Sequence, residues 1–155
     1  MNWDQLLNAT RLGLEDRTSP ADHTRTQFES DYDRLIFSSP FRRLQNKTQV
    51  FPLPGNIFVH NRLTHSLEVA SVGRSLGKII SDKLQYEAAV SDKSKLQEIG
   101  SVVATACLAH DMGNPPFGHS GEKAIRQFFR EGHGKKWQNE INPEEWEDLV
   151  NYEGN

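Results

Sequence analysis

Residues 110–122 read HDMGNPPFGHSGE, and this stretch decides the fold because it joins two predicted helices. An apolar segment with helical periodicity covers residues 96–110, and Gly113 is the residue that terminates it. The prolines and the glycine of residues 114–118 predict a rigid loop, after which a second helix covers residues 119–129. A His-Asp dipeptide therefore ends one helix, and a histidine begins the next.

Helical spacing of apolar residues recurs through most of the chain, so the sequence predicts an all-α fold. Besides the two helices just described, the predicted helices cover residues 3–12, 26–38, 41–46, 62–86 and 143–151. Residues 48–51 read as an extended segment, and residues 132–136 read as a flexible loop.

The longest predicted helix covers residues 62–86, and its apolar positions recur in steps of three and four. This stripe comprises His65, Val69, Val72, Leu76 and Ile79. The helix over residues 96–110 carries a similar stripe that ends with His110. We expect both stripes to face the core, which would place one histidine from each helix on an inward face.

The length of 155 residues and the composition predict one soluble domain. The longest near-apolar run, residues 102–109, is far shorter than the roughly 20 residues that a membrane-spanning helix needs. The single cysteine, Cys107, excludes an internal disulfide and a cysteine-rich zinc site. Because the N-terminus has no apolar signal segment, we expect a cytoplasmic protein without membrane contact.

The net charge of -3 is unevenly distributed along the chain. Residues 34–67 carry five basic side chains and no acidic one, whereas residues 140–155 carry six acidic side chains and no basic one. A basic block within a mildly acidic chain favours a local anion site, although a solvated basic face would give the same pattern.

Two histidines and an aspartate predict a divalent-metal site. His65 and His110 lie on the two core-facing stripes, and an imidazole buried without a partner is costly. Asp111 follows His110 directly, so its carboxylate can turn toward the same centre. Two neutral imidazoles and one carboxylate suit Mn, Fe, Zn and similar ions. Either histidine alone would more simply be a hydrogen-bonded core residue, and it is their pairing beside Asp111 that favours a metal.

His119 and Glu122 are three residues apart, so they share one face of the helix over residues 119–129. A carboxylate beside an imidazole orients it and favours its protonated form, as a general acid requires. An acidic residue near the positive end of a helix would explain Glu122 but not His119. Arg62 lies one turn before His65 and could place a guanidinium on a bound phosphate, unless it is an ordinary surface residue.

Three segments of the chain, in this order, resemble one family. They are residues 41–53 (FRRLQNKTQVFPL), residues 62–66 (RLTHS) and residues 110–122. Together they are similar to the dGTP triphosphohydrolase family of the HD-domain superfamily. The resemblance covers residues 1–155 and implies an all-α HD fold. It also implies that the chain is the N-terminal part of a single phosphohydrolase domain, incomplete at its C-terminus.

The resemblance implies metal-dependent hydrolysis of a deoxynucleoside triphosphate to the deoxynucleoside and inorganic triphosphate. Among these substrates, dGTP is the one expected first. It makes His65, His110 and Asp111 metal ligands and places the fourth ligand, an aspartate, downstream of this chain. The helix that carries Asp148 matches no ligand motif, so Asp148 is not expected to replace that aspartate. The metal expected first is Mn²⁺ or Mg²⁺, with Fe, Zn, Ni and Co also compatible.

The resemblance also assigns the remaining site residues. His119 and Glu122 would be the acid–base pair. Arg62 would hold the triphosphate, Gln49 would contact the deoxyribose, and Asn114 would be a further substrate-binding residue. The family implies a homo-oligomer as well.

Two other classes of function fit the same residues. An HD phosphohydrolase could act on a nucleoside monophosphate or a cyclic dinucleotide, and it would then release orthophosphate or a linear dinucleotide. A non-catalytic module could instead hold a metal and a nucleotide, or bind single-stranded nucleic acid through the basic block with Phe41 and Phe51. The affinity for nucleic acid would then fall steeply with salt.

Overall fold

The computed structural model describes residues 2–15, 25–48, 61–87 and 90–154, and every regular element in these ranges is helical. The α-helices are α1 Trp3–Leu6, α2 Gln27–Phe37, α3 Ser39–Arg43, α4 Arg62–Glu87, α5 Ile99–Ala109, α6 His119–Arg130 and α7 Pro143–Val150. Three 3₁₀ helices cover Leu44–Asn46, Lys93–Glu98 and His133–Trp137. The predicted all-α class is thus confirmed, while residues 49–51 of the predicted extended segment lie outside the described ranges. None of the helices in the described ranges combines the length and the apolar character that crossing a membrane requires.

Side-chain caps explain where two of the predicted helices begin. The Thr26 hydroxyl accepts the backbone N–H of Glu29 at 3.2 Å, and the Glu29 carboxylate accepts the backbone N–H of Thr26 at 3.0 Å. This reciprocal pair is a capping box, which satisfies two N–H groups that the first turn of α2 would otherwise leave unbonded. Asn142 caps α7, and Pro143 occupies its first turn, where an N–H has no helical partner in any case.

Two predicted segments differ from the structure. α1 ends at Leu6 rather than at residue 12, because the Asn8 side chain accepts the backbone N–H of Thr10 at 2.9 Å and favours a turn there. Residues 132–136, predicted as a flexible loop, contribute to the 3₁₀ helix His133–Trp137, which packs against α6. Packing on a neighbouring helix orders this segment despite its two glycines.

The chain divides into two compact units. The first comprises residues 1–42 and 66–110, and the second comprises residues 43–65 and 111–155. In the first unit, α2 packs on α5, and a buried cluster of Leu7, Leu96 and Ile99 forms a core.

α4 buries a different face from the one predicted. After Arg62 at its first position, its buried residues are small, namely Ser66, Ala70, Gly73, Gly77 and Ser81. Val72, Leu76 and Ile79, which were expected in the core, are 61%, 57% and 63% exposed. A Cβ atom on Gly77 would lie only 2.9 Å from the Cα atom of Gly100 in α5. The two helices therefore approach too closely for large side chains, and close packing selects the small-residue face.

The predicted stripe on α5 is only partly buried. Leu96 and Ile99 are buried as predicted, but His110 at the other end is exposed. The buried face of α5 continues instead through Ala104 and Leu108. The buried face is set by the packing of α5 against α2 and α4. The spacing of apolar residues did not predict this packing.

In the second unit, α6 packs on α7 and on the 3₁₀ helix His133–Trp137. The Phe129 ring meets the Trp146 ring edge to face, with 6.0 Å between the centroids. Phe128 lies 6.1 Å from Trp137. These aromatic contacts hold α6, whose first turn carries the predicted acid–base pair.

Candidate active site

The first turn of α6 brings His119 and Glu122 into contact. His119 Nδ1 lies 2.9 Å from Glu122 Oε2. The side chain of His119 is 92% exposed, whereas that of Glu122 is only 5% exposed. A buried carboxylate thus anchors an imidazole that a ligand can reach, which suits a general acid with an orienting partner.

The pKa of Glu122 is held below its ordinary value. The hydrogen bond with His119 lowers it most, and the backbone N–H of Gly154, which donates to Glu122 Oε1 at 3.1 Å, lowers it further. Burial opposes these effects, while positive charge on His119 and Arg126 also favours the carboxylate. Glu122 is therefore an anion at neutral pH and can stabilise a proton on His119.

Arg62 begins α4 and is buried together with Asp111. The two residues are 4% and 2% exposed, and Arg62 Nη1 donates to Asp111 Oδ1. Asn114 Nδ2 donates to the same oxygen at 2.6 Å. Buried charges are stable only when they are paired and hydrogen-bonded, so these contacts define the position of the Asp111 carboxylate. Arg62 is consequently not an ordinary surface arginine.

The loop between Asp111 and α6 is held by one backbone and one side-chain contact with residues 47 and 48. Phe117 N donates to Thr48 O at 3.0 Å, and Lys47 Nζ donates to Asn114 O at 2.9 Å. Phe117 has a φ of 67°, a conformation that costs a non-glycine residue about 1–3 kcal/mol and persists only where the surroundings impose it. Sequence reasoning did not assign Lys47 to the site, although its place in the basic block was a signal.

His65, His110 and Asp111, which we call the ligand group, come together in the structure. One potential ligand atom from each lies within 4.8 Å of the other two. His110 Nδ1 lies 2.6 Å from the carbonyl oxygen of Cys107, so Nδ1 carries the hydrogen and Nε2 offers its lone pair. Two imidazoles and one buried carboxylate form a donor set that fits a divalent cation.

A cavity of about 410 Å³ opens beside the first turn of α6. Its lining includes Arg62 and Asn114, both predicted to bind substrate, together with His119 and Glu122. This volume falls within the range of small-ligand sites. Four of the residues singled out in the sequence therefore face one space.

Two other residues were considered in the sequence. Gln49 lies outside the described residues. Asp148 is exposed on α7 and is not among the described residues that form the ligand group. Gly154 contacts Glu122 from 32 positions away along the chain, and sequence reasoning missed it because a distant glycine has no local signal.

A comparison with known protein families identifies the family to which this fold and this ligand group belong. The family model described as HD domain matches residues 62–146, which is more than half of the chain. The chain therefore belongs to the HD domain family, and the predicted HD fold is confirmed. Members of this family bind divalent metals, and the ligand group is the part of this chain that could hold one.

More specific similarity comes from curated relatives. The chain is 47% identical over 155 residues to a "deoxyguanosinetriphosphate triphosphohydrolase-like protein" of Pseudomonas aeruginosa, covering 100% of this chain and 34% of that protein. It is 46% identical over 162 residues to a protein of the same description from Synechocystis, covering 35% of it. A "deoxyguanosinetriphosphate triphosphohydrolase" of Serratia proteamaculans is 50% identical over 106 residues, which are 66% of this chain and 21% of that protein. The predicted resemblance is confirmed, and the chain spans about a third of the length of the first two relatives.

Proposed function

We propose that this chain is the N-terminal part of a single HD-type phosphohydrolase domain that hydrolyses deoxynucleoside triphosphates, dGTP first. The products would be the deoxynucleoside and inorganic triphosphate. The observation that carries the proposal is the shared cavity of Arg62, Asn114, His119 and Glu122, the first two of which also bond to Asp111 of the ligand group. The similarity to proteins described as deoxyguanosinetriphosphate triphosphohydrolases or as triphosphohydrolase-like supports the substrate class.

The ligand group would hold Mn²⁺ or Mg²⁺, although Fe, Zn, Ni and Co suit the same donors. A divalent cation bound there would polarise the α-phosphate and would lower the pKa of the attacking water. Arg62 would bind phosphate oxygens, because it lines the cavity and Asp111 engages only part of its five-donor guanidinium. Its Nε has no hydrogen-bond partner among the described residues. Phosphate charge would thus be balanced by a fixed, buried cation.

His119 would donate a proton to the 5′-oxygen as the bond between that oxygen and the α-phosphorus breaks. Glu122 engages its Nδ1, so Nε2 would deliver the proton. The oxygen of the attacking water would stay on the phosphorus and one of its protons would pass to solvent, which gives inorganic triphosphate as the product. Gln49 keeps its proposed contact with the deoxyribose, as the resemblance implies.

Phosphorus NMR of the protein with Mn²⁺ and each deoxynucleoside triphosphate tests the reaction. We expect inorganic triphosphate to accumulate, and dGTP to react fastest. His119→Ala should lower the rate by about 10²–10⁴-fold, as the loss of a general acid does. His133→Ala, an exposed histidine on the 3₁₀ helix His133–Trp137, is the matched control and should keep the wild-type rate.

Other products would contradict the proposal. Orthophosphate from a nucleoside monophosphate or a linear dinucleotide from a cyclic one, without triphosphate from any deoxynucleotide, would indicate a different HD phosphohydrolase. Thermal stabilisation by deoxynucleotides without any product would indicate a binding module. Salt-sensitive binding of single-stranded nucleic acid, again without turnover, would favour the module that binds through the basic block.

Self-association in the cytoplasm belongs to the same proposal. Exposed apolar patches often mark interaction surfaces, and Val72, Leu76 and Ile79 form such a patch on α4. Light scattering should therefore report an oligomer, and Leu76→Glu should shift it toward the monomer. A wild-type protein that stays monomeric at every concentration tested would contradict this part of the proposal.

A further inference from the structure

Residues 151–154, which we call the return segment, follow α7 and run back along α6. Arg126 Nη1 donates to the carbonyl oxygen of Tyr152 at 2.9 Å, and Arg130 Nη2 donates to Asn151 Oδ1 at 2.5 Å. Arg126 and Arg130 are one helical turn apart, so they form a row of donors along one side of α6. The return segment is therefore bound to the helix that carries the candidate acid–base pair.

The return segment is also bound to the loop after Asp111. The Tyr152 hydroxyl donates to the carbonyl oxygen of Gly113 at 2.8 Å. With the Arg126 bond, this contact fixes Tyr152 at both its backbone and its side chain. The next residues are thereby directed toward Glu122.

Gly154 meets the Glu122 carboxylate at close range. Its N–H donates to Oε1 at 3.1 Å, while Oε2 bonds to His119. A Cβ atom at position 154 would lie 2.1 Å from Asn114 Oδ1 and 3.1 Å from Glu122 Oε1. No side chain fits there without displacing the amide of Asn114 or the carboxylate, so the contact requires glycine.

We propose that Gly154 is a positioning residue for the His119–Glu122 pair. Because the two carboxylate oxygens are engaged by different partners, the Gly154 bond sets the rotation of the carboxylate and, through Oε2, the direction of the His119 ring. Its relevance to catalysis rests on the proposed function. Tyr152 and Arg126 hold Gly154 in place.

The test is a titration of the Glu122 carboxyl carbon by ¹³C NMR in the full chain, with glutamate labelled at that carbon and the signal assigned by Glu122→Gln. In Gly154→Ala the N–H bond is displaced, so the pKa of Glu122 should rise toward its ordinary value. Tyr152→Phe should move it in the same direction by a smaller amount. Tyr86→Phe, at a tyrosine that is 90% exposed on α4, is the matched control and should leave the titration unchanged.

Turnover provides the second readout. In Gly154→Ala, kcat should fall by about tenfold. In Tyr152→Phe, which adds no atom beside Asn114, kcat should fall while KM stays near the wild-type value, because orientation of the general acid acts on the chemical step. If Gly154→Ala fails to fold, Tyr152→Phe decides the question by the same two measurements. Arg126→Gln is then compared by kcat alone, because the loss of its charge would itself raise the Glu122 pKa. An unchanged Glu122 titration in the folded variants would overturn the proposal, as would a wild-type kcat.

The two proposals fail in different ways. The carboxyl titration needs no substrate, so a shifted pKa of Glu122 without any triphosphate product would contradict the proposed function and leave the Gly154 contact established. Triphosphate release that is insensitive to all three variants would leave the proposed function standing and refute the positioning role.

Discussion

Removal of the Arg62 guanidinium tests whether the buried ion pair stabilises the protein. In Arg62→Met the apolar stem is approximately kept, and Asp111, only 2% exposed, stays buried without its cation. Losing one partner of a buried pair costs about 3–5 kcal/mol. Because Asn114 still donates to Asp111 Oδ1, we expect the lower end of that range. A loss of about 3 kcal/mol corresponds to a fall in Tm of about 6–12 °C for a chain of this size.

Thermal unfolding followed by circular dichroism, with EDTA present so that no cation replaces the guanidinium, measures this effect. Arg25→Met is the matched control, since Arg25 and Asp33 form an ion pair whose side chains are 51% and 39% exposed. Such a pair contributes about 0–1 kcal/mol. Combining Arg62→Met with Asp111→Asn should recover part of the loss, because no unpaired charge then remains. Two results would refute the reasoning. The first is a double variant whose loss in the free energy of unfolding equals the sum of the two single losses within about 0.5 kcal/mol. The second is an equal loss for Arg62→Met and Arg25→Met.

Three further predictions concern packing, metal and pH. Gly77→Val should lower the free energy of unfolding by about 1–3 kcal/mol, as overpacking does. Tyr86→Ala, at an exposed position of α4, should change it by less than about 0.5 kcal/mol. Equal effects in denaturant titrations would contradict the close α4–α5 contact. Mn²⁺ should raise the Tm of the wild type and of His133→Ala but not of His110→Ala, because a ligand that binds the folded state stabilises it. Equal shifts in all three would remove His110 from the ligand group. Glu122→Gln should lower the Tm at neutral pH, and the deficit should shrink as the pH falls below about 4.3, because a carboxyl with a lowered folded pKa stabilises only while ionised. A deficit independent of pH would show that the charge of Glu122 does not stabilise the fold.

Contacts between residues close in sequence were predictable. Thr26 with Glu29, and His119 with Glu122, are three positions apart, and one helical turn brings such residues together whatever the rest of the chain does. The class of site could also be predicted, since His110 and Asp111 are adjacent in the sequence.

The sequence by itself determined the helical class, the approximate extent of most helices and the residue types of the ligand group. These features depend on periodicity, capping and short spacings, all of which act within one turn or one loop. It did not determine which face of α4 is buried. The large apolar residues of α4 predicted one face, but close approach to α5 at Gly77 buries the small residues of another.

Pairing between site residues that lie far apart in the sequence depended on the tertiary structure alone. Arg62 reaches Asp111 across 49 positions, and Gly154 reaches Glu122 across 32. Nothing in the local sequence distinguishes a buried, paired arginine from a surface one, or a glycine against a carboxylate from a glycine in a loop. Such contacts depend on how separate segments of the chain pack. Packing sets the distance between the two partners and the degree to which they are buried, and these two quantities determine the orientation of each group.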